Sequence, residues 1–231
     1  MKSFTKQDVA ESLRQRILSL QLSPSQLLDE VALANEYGMS RTPMREIIQR
    51  LSGEGYLEPE QNRGAKVAPM DFATMRHFFQ AAPMVYAAAA RLAAEHATPD
   101  HIERLKTVQS EIRAAVEAGD SPRAAIQNHH FHAFVGEMAA SPYLMPSLNR
   151  LLIDHTRMSQ VFYNPTTSTE AESVEQAVDH HDMMIEAFAN HDTARAVELT
   201  KQHWDLSRNR IQTFVDPGPL PFELEEEAHA V

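Results

Sequence analysis

Hydrophobic residues recur at helical spacing in the first part of the chain. Val9, Leu13 and Ile17 lie four residues apart and share one face of a predicted first helix. A second apolar segment begins at Leu28 and predicts a short second helix, which Gly38 is expected to end as a left-handed cap. The pattern therefore predicts two amphipathic helices in close succession.

A third helix is predicted to follow at once, with Thr42 as its N-cap and Pro43 at its first helical position. Its apolar positions have the spacing of a single helical face: Met44, Ile47, Ile48 and Leu51. Residues 56–59 and 65–68 then predict two short strands around a polar turn at 61–64. Three helices followed by a small hairpin are the order expected of a winged helix-turn-helix.

The rest of the chain has the periodicity of long helices, separated by short segments rich in Pro, Gly, Asn and Asp. The predicted helices cover residues 72–97, 99–118, 121–139, 143–163, 170–190 and 192–214. The predicted fold is mostly α. It has an N-terminal winged helix-turn-helix (1–70), a C-terminal antiparallel bundle of about six helices (71–214) and a disordered acidic tail (215–231).

Charge is divided unevenly between these parts. The formal net charge is −11, but residues 1–70 carry nine basic and nine acidic residues, so the acidity belongs to the bundle and tail. A neutral module can bind DNA through a local basic face, since electrostatic attraction extends over about a Debye length, ~8–10 Å. The absence of cysteine excludes thiolate metal sites. Because no signal peptide or membrane span is evident, we expect a cytoplasmic protein without a membrane partner.

Two arginines mark the start of the third helix. Arg41 precedes it and Arg45 lies in its first turn, where a helix-turn-helix contacts base edges. Arginine can bind guanine in a bidentate manner or neutralise a phosphate. Arg63, beside Gly64 at the wing tip, can reach an adjacent groove. The alternative is that these arginines are solvated surface charge, but the complete order of elements favours DNA binding.

The segment LDEVALANEYGMSRTPMREIIQRLSGEGYLEPEQNRGAKV resembles the winged helix-turn-helix of the GntR superfamily of transcriptional regulators. The SRTPxRE run, the G-Y-L turn and the N-R-G wing carry this resemblance. The resemblance implies that the DNA-contacting residues are Ser40, Arg41, Thr42, Pro43, Arg45, Asn62, Arg63 and Gly64. Two positions depart from the family pattern: Ser25 follows Pro24 where the family often has Gly, and Val31 stands where some members carry Arg. These departures concern the operator sequence and leave the expected fold unchanged.

Histidines form a second group of candidate functional residues. Asn128 and His132 are four residues apart and share one helical face. His181 lies in the next-to-last predicted helix and His203 in the last, 22 residues later. An antiparallel hairpin of these helices can bring the two imidazoles level, although spacing alone permits this arrangement without requiring it.

The region from about residue 72 to 214 resembles the FCD ligand-binding domain of the FadR-like branch of the same superfamily. That domain has an Asp-x-x-x-His pattern and two later histidines, which together bind a divalent metal. The resemblance implies that Asn128, in the place of the Asp, joins His132, His181 and His203 as metal ligands. Three imidazoles and one oxygen suit Zn or Ni.

The other histidines have a plainer interpretation. A lone helical histidine is expected at the surface or hydrogen-bonded in the core, and this applies to His77, His96, His101, His155, His191 and His229. Three more are expected to be surface neighbours of the ligands: His129, His130 and His180.

The effector pocket is also expected to depart from the family. Many relatives carry an Arg in the first bundle helix as a carboxylate clamp, but Ala82 stands at that place here. A less acidic or more apolar molecule then fits the pocket, for which Met84, Met158 and Tyr163 are candidate lining residues, although such residues are more often plain core. A bound metal offers a carboxylate or other chelating metabolite a different anchor.

These observations favour a ligand-responsive transcriptional regulator, expected to be a repressor and not an enzyme. Its expected partners are a palindromic double-stranded DNA operator, a small-molecule effector and a second copy of the chain, since two-fold half-sites match dimers. One alternative is a metal-dependent enzyme that uses the three-histidine site. Another is a constitutive DNA-binding protein whose bundle only dimerises.

Overall fold

The computed structural model describes residues 4–60 and 64–215, with side chains as far as residue 208. The first six elements form the winged module: α1 Lys6–Leu18, β1 Leu27–Leu28, α2 Glu30–Glu36, α3 Arg41–Glu54, β2 Leu57–Glu60 and β3 Gly64–Val67. The strands form an antiparallel sheet in the order β1-β3-β2. Buried residues of α1 and α3, including Leu13, Met44 and Leu51, form the core of the module.

The start of the second helix differs from the prediction. Leu28 belongs to β1, where it lies opposite Ala65 of β3, and the helix begins only at Glu30. The cause is Asp29, whose carboxylate accepts hydrogen bonds from the backbone N–H groups of Val31 and Ala32 and so caps a helix that begins two positions later than predicted. Leu28, the apolar residue before the N-cap, is therefore part of the sheet and not of the helix.

The start of the third helix also needs a correction. Its N-cap is Ser40 and not Thr42, so Pro43 occupies the third helical position instead of the first. A proline is tolerated throughout the first turn because those N–H groups have no partner within the helix. At the other end, Gly55 stops α3 with a φ of +90°, and Gly38 follows α2 with a φ of +64°, as the sequence predicts.

Six long helices follow and confirm the predicted fold class. They are α4 Phe72–His96, α5 Pro99–Glu117, α6 Ser121–Ala139, α7 Met145–Phe162, α8 Ser168–Ala189 and α9 Thr193–Val215. Each bound lies within two residues of its prediction. The predicted acidic tail lies outside the described residues, apart from Val215.

The helices of the bundle pack around an alanine-rich core. α4 lies against α6 and α9, while α5 lies against α6 and α8. Small residues on α4, such as Ala89 and Ala93, are buried and allow the helices to approach closely. No helix in the described part of the chain combines the length and apolarity needed to cross a membrane. This packing brings residues of α6, α8 and α9 together in the middle of the bundle.

Candidate DNA interface and candidate metal centre

The amino end of α3 is exposed and open to a partner. Ser40 occupies the N-cap position without making a side-chain capping hydrogen bond, and the first turn contains no acidic residue. The first N–H groups of a helix lack intrahelical partners and attract phosphate. This helix end can therefore donate hydrogen bonds to an anion.

Two arginines flank this helix end. Arg41 is exposed and makes no ion pair or side-chain hydrogen bond with any residue that the structure describes. Arg45 is 65% exposed and reaches Glu30 through a single contact of 3.3 Å between Nε and Oε2. Both guanidinium groups are thus accessible, while buried Met44 and Leu51 hold the opposite side of the helix in the core.

A groove of about 780 Å³ runs beside these arginines. Its walls include Arg41, Arg45 and Gly64, together with residues 27–31 of β1 and the start of α2. Gly64 opens β3 with a φ of +84°, a conformation that favours glycine. Thr42 is exposed and Pro43 half-buried at the same helix end. The predicted contacts Asn62 and Arg63 lie outside the described residues.

Three histidines meet in the middle of the bundle and are called the histidine centre below. His132 of α6, His181 of α8 and His203 of α9 are 5%, 0% and 4% exposed. One ring nitrogen of each lies within 4.8 Å of the others. Among the described residues, no hydrogen-bond partner exists for His132 Nε2, His181 Nε2 or His203 Nδ1. Buried nitrogens without partners are costly, and a shared cation would satisfy all three.

Burial keeps these imidazoles neutral. Removal from water lowers the pKa of His181 to about 3 and holds the pKa values of His132 and His203 well below their usual range. The neighbouring imidazoles lower these pKa values further, because two nearby positive charges repel. Neutral imidazole is the form of histidine that binds a metal, so the donor set fits a divalent cation.

Gln109 of α5 orients one member of the centre. Its Oε1 lies 3.2 Å from His181 Nδ1, and its own amide donates to the carbonyl of Val178 at 2.7 Å. Because that second bond fixes the amide, Oε1 accepts the Nδ1–H of His181 and leaves the Nε2 lone pair for the centre. The sequence contains a signal for this residue, since Gln109 interrupts the apolar stripe that includes Leu105 and Ile112.

Asn128, the fourth predicted ligand, makes other contacts. It is 2% exposed and lies one helical turn before His132. Its amide nitrogen donates to Ser159 Oγ at 3.3 Å, and its Oδ1 accepts from the hydroxyl of Tyr163 at 3.1 Å. An amide oxygen has two lone pairs, so the bond from Tyr163 leaves one available.

A second layer of aromatic groups borders the centre. The ring centroid of His155 on α7 lies 4.8 Å from that of His132, and its Nδ1 lies 2.9 Å from the hydroxyl of Tyr86. His155 is thus a hydrogen-bonded core histidine, one of the two expected possibilities. The enclosed cavity beside His132 and Tyr86 has a volume of about 10 Å³, which holds roughly one water molecule.

Some expectations about neighbouring residues are wrong. His180 is 5% exposed and not a surface neighbour, because it lies where α8 packs against α9, with its ring 6.1 Å from that of His203. Met84 is 73% exposed and lines no interior pocket, whereas Met158 and Tyr163 are buried as expected of core residues. His129 is half-buried and His130 is exposed.

The chain is similar to known proteins over both of its parts. The family model described as "Bacterial regulatory proteins, gntR family" matches residues 5–67, and the model described as "FCD domain" matches residues 79–206. An uncharacterized HTH-type transcriptional regulator, YieP of Escherichia coli (strain K12), is 27% identical over 156 residues, which are 59% of this chain and 68% of that protein.

A second relative and a solved structure extend over nearly the whole chain. The HTH-type transcriptional repressor GlaR of Escherichia coli (strain K12) is 24% identical over 206 residues, 87% of this chain and 93% of its own length. The structure of E. coli McbR/YncC superposes with a TM-score of 0.76 at 19% identity and covers 92% of this chain and 98% of that one. The order of the two parts is therefore shared over most of the chain.

Proposed function

The chain belongs to the gntR family of bacterial regulatory proteins, in the branch that carries the FCD domain, and on that premise we propose that it is a homodimeric, effector-responsive repressor. Membership makes it a transcriptional regulator and sets the enzymatic alternative aside. GlaR and YieP are also transcriptional regulators by name.

The observation that carries DNA binding is the helix end of α3, which has no side-chain cap and is flanked by Arg41 and Arg45. Uncapped N–H groups favour a backbone phosphate, and the two exposed guanidinium groups suit guanine edges or phosphates. Ser40, Thr42 and Pro43 share this helix end, while Asn62, Arg63 and Gly64 belong to the proposed wing contact. A palindromic operator and a homodimer are proposed together, because a two-fold protein matches two half-sites about one helical turn apart.

A binding-site selection tests this part directly. Random double-stranded DNA is enriched on the full chain, the recovered sequences are aligned, and the affinity for the consensus is measured by fluorescence anisotropy. We expect an inverted repeat bound by two chains. Recovery of sequences without symmetry, or binding of one chain per site by sedimentation, would contradict the proposal.

The histidine centre is proposed to hold a divalent metal, with Zn or Ni as the best fit for imidazole nitrogen. His132, His181 and His203 supply three neutral nitrogens, and Asn128 is the proposed oxygen donor. Such a metal supplies a positive centre that attracts an anionic or chelating oxygen. The three buried nitrogens without partners carry this proposal. Elemental analysis of untagged protein purified without chelator tests it, and a chain that holds no metal and gains none on titration would contradict it.

An organic effector bound at the histidine centre needs more space than the cavity beside His132 offers. The cavity beside His132 is about 10 Å³, whereas ligand sites usually measure about 300–1,000 Å³. The helices must therefore part when an effector enters, and that movement makes a response of the DNA module physically reasonable. A thermal-shift screen of carboxylate and more apolar metabolites, each with and without chelator, separates a metal-anchored effector from one held by hydrogen bonds. A bundle that only dimerises would respond to none of them.

A further inference from the structure

α7 contacts the winged module and residues 68–71, the linker that joins β3 to α4. Gln160 donates from Nε2 to the carbonyl of Leu18 at the end of α1, over 3.1 Å. Arg157 donates to the carbonyls of Ala68 and Pro69, which follow β3, over 2.6 and 3.4 Å. The side chain of Arg150 lies so close to Gly55 that a Cβ there would collide with it.

The opposite side of the same helix contacts the surroundings of the histidine centre. His155 pairs with the hydroxyl of Tyr86 and lies against His132. Ser159 accepts a hydrogen bond from the Asn128 amide at 3.3 Å. Positions 155 and 159 thus face the histidine centre, and positions 157 and 160 face the winged module and its linker. All four lie within about one and a half turns of α7.

Arg157 is unusual because it is a fully buried cation. Its exposed fraction is 0%, and its charge is balanced by Asp154, to which it donates a hydrogen bond. A buried cation depends on the partners of its donors, and here the two terminal nitrogens have partners while Nε has none among the described residues. The carbonyls of Ala68 and Pro69 are two of those partners, so the guanidinium favours one placement of the linker relative to α7.

From this arrangement we infer that Arg157 is a positioning residue that couples the histidine centre to the winged module. A shift of α7, driven by a change at the contacts of His155 and Ser159, moves Arg157 and with it the carbonyls of Ala68 and Pro69. Those residues connect β3 to α4, so the module moves relative to the bundle. The inference rests on the proposed function because it supplies the route by which the centre alters DNA binding.

The main experiment uses Zn²⁺ as the probe and Arg157→Met as the variant. Asp154 keeps a partner in this variant, because its Oδ2 also accepts from Arg150 Nη1 at 2.9 Å. Zn²⁺ affinity is measured by calorimetry, and the Kd for the selected operator is measured with Zn²⁺ and with chelator. In the wild type we expect the two Kd values to differ by about tenfold, a typical coupling between sites.

Arg157→Met is expected to bring this ratio to within about twofold of one, while Zn²⁺ affinity and the Kd in chelator stay within about threefold of the wild type. A merely structural role would change the Kd equally under both conditions. Arg113→Met is the matched control, since Arg113 pairs with Asp179 and Asp182 on the bundle surface away from the linker. Retention of the wild-type ratio in Arg157→Met, or its equal loss in Arg113→Met, would overturn the inference.

A second variant at the same position covers the case in which Arg157→Met is unstable. If Arg157→Met does not fold, Arg157→Lys replaces it, because one ammonium cannot reproduce the planar fork that spans two carbonyls and a carboxylate. The same fall in the ratio is expected, and an unchanged ratio overturns the inference.

If the wild type shows no Zn²⁺ dependence, the metal part of the proposed function fails, and a double-mutant cycle decides the coupling. Tyr86→Phe removes the bond to His155 and should change the operator Kd by about threefold or more in the wild type, but by less in Arg157→Met. Equal changes in both backgrounds, or none in either, overturn the coupling itself.

Discussion

The two candidate sites treat charge in opposite ways. At the amino end of α3, Arg41 and Arg45 carry permanent charges in water, where a polyanion can approach them from outside. In the bundle, three imidazoles are 5% exposed or less and neutral, with nitrogens that no other described residue satisfies. Exposed charge recognises a large charged partner, whereas buried neutral donors accept only a small cation. One acidic chain thus places exposed cationic groups at one candidate site and buried neutral nitrogen donors at the other.

Removal of one histidine tests the interior half of this comparison most strongly. His132→Ala should lower Zn²⁺ affinity by about 100-fold or more, since loss of an outer-shell partner alone costs about 10–100-fold. His130→Ala is the matched control, because His130 lies two residues away on the exposed side of α6. Calorimetry measures both variants. Equal losses in the two variants, or none in either, would break the comparison.

Gln109 tests whether orientation contributes as well as the direct donors. Gln109→Leu keeps the volume but removes the acceptor for His181 Nδ1–H, so Zn²⁺ affinity should fall by about 10–100-fold. Operator affinity in chelator should stay the same, because Gln109 is buried in the bundle, where its amide bonds to Val178 and His181 of α8. Gln202→Leu, at an exposed position on α9, serves as the control. An unchanged Zn²⁺ affinity in Gln109→Leu would show that the tautomer of His181 is set elsewhere.

The exterior half is tested at the two arginines. Arg41→Ala and Arg45→Ala should each weaken operator binding by about 1–3 kcal/mol, with no effect on Zn²⁺ affinity. Arg50→Ala provides a comparison on the same helix, since Arg50 is exposed but lies near the other end and pairs with Glu54. Anisotropy titrations at two salt concentrations measure the effect. A double variant of Arg41 and Arg45 with wild-type affinity would remove α3 from the DNA interface.

The smallest expected effect is the loss of folding stability on acidification, which the buried histidines should cause. Burial lowers the pKa of His155 and of His181 to about 3 in the folded chain, whereas an unfolded histidine has a pKa of about 6.5. Below pH 6.5 the unfolded chain therefore binds more protons than the folded chain. The stability that these two residues contribute is fully present above pH 6.5 and is lost as the pH falls toward 3.

Between pH 7 and 5.5 each of these two residues should cost roughly 1 kcal/mol of stability in the chelator-treated protein. Urea unfolding at several pH values measures the slope. His155→Phe should make the slope shallower, because it removes one of the two groups whose pKa burial lowers. A slope that is flat, or insensitive to His155, would mean that these imidazoles are charged or exposed.

The sequence predicts elements well where long-range contacts matter little. The bundle helices have long apolar periodicities bounded by Pro and Gly, so their ends are readable within two residues. β1 is missed because a two-residue strand has no periodicity, and Leu28 looks the same before a helix as in a sheet. The N-cap of α3 is misplaced because Ser40 and Thr42 are both good capping residues.

Some functional residues could likewise be predicted from the sequence, and others could not. His132, His181 and His203 are predicted as a group, and the fold brings their ring nitrogens together. Arg157 is invisible in the sequence because its partner carbonyl belongs to Ala68, 89 residues away along the chain. Nothing local distinguishes it from a surface arginine. The burial and the partners of such an arginine depend on long-range contacts, which the local sequence does not reveal.

The closure of the histidine centre also has a kinetic consequence. With every donor nearly inaccessible and only about 10 Å³ of free space beside His132, any occupant enters or leaves when the helices separate. The exchange rate is then set by the free energy of that local opening, on a timescale of microseconds to seconds or longer. A bound ion would therefore outlast brief changes in its concentration outside, and the regulator would average its supply over time.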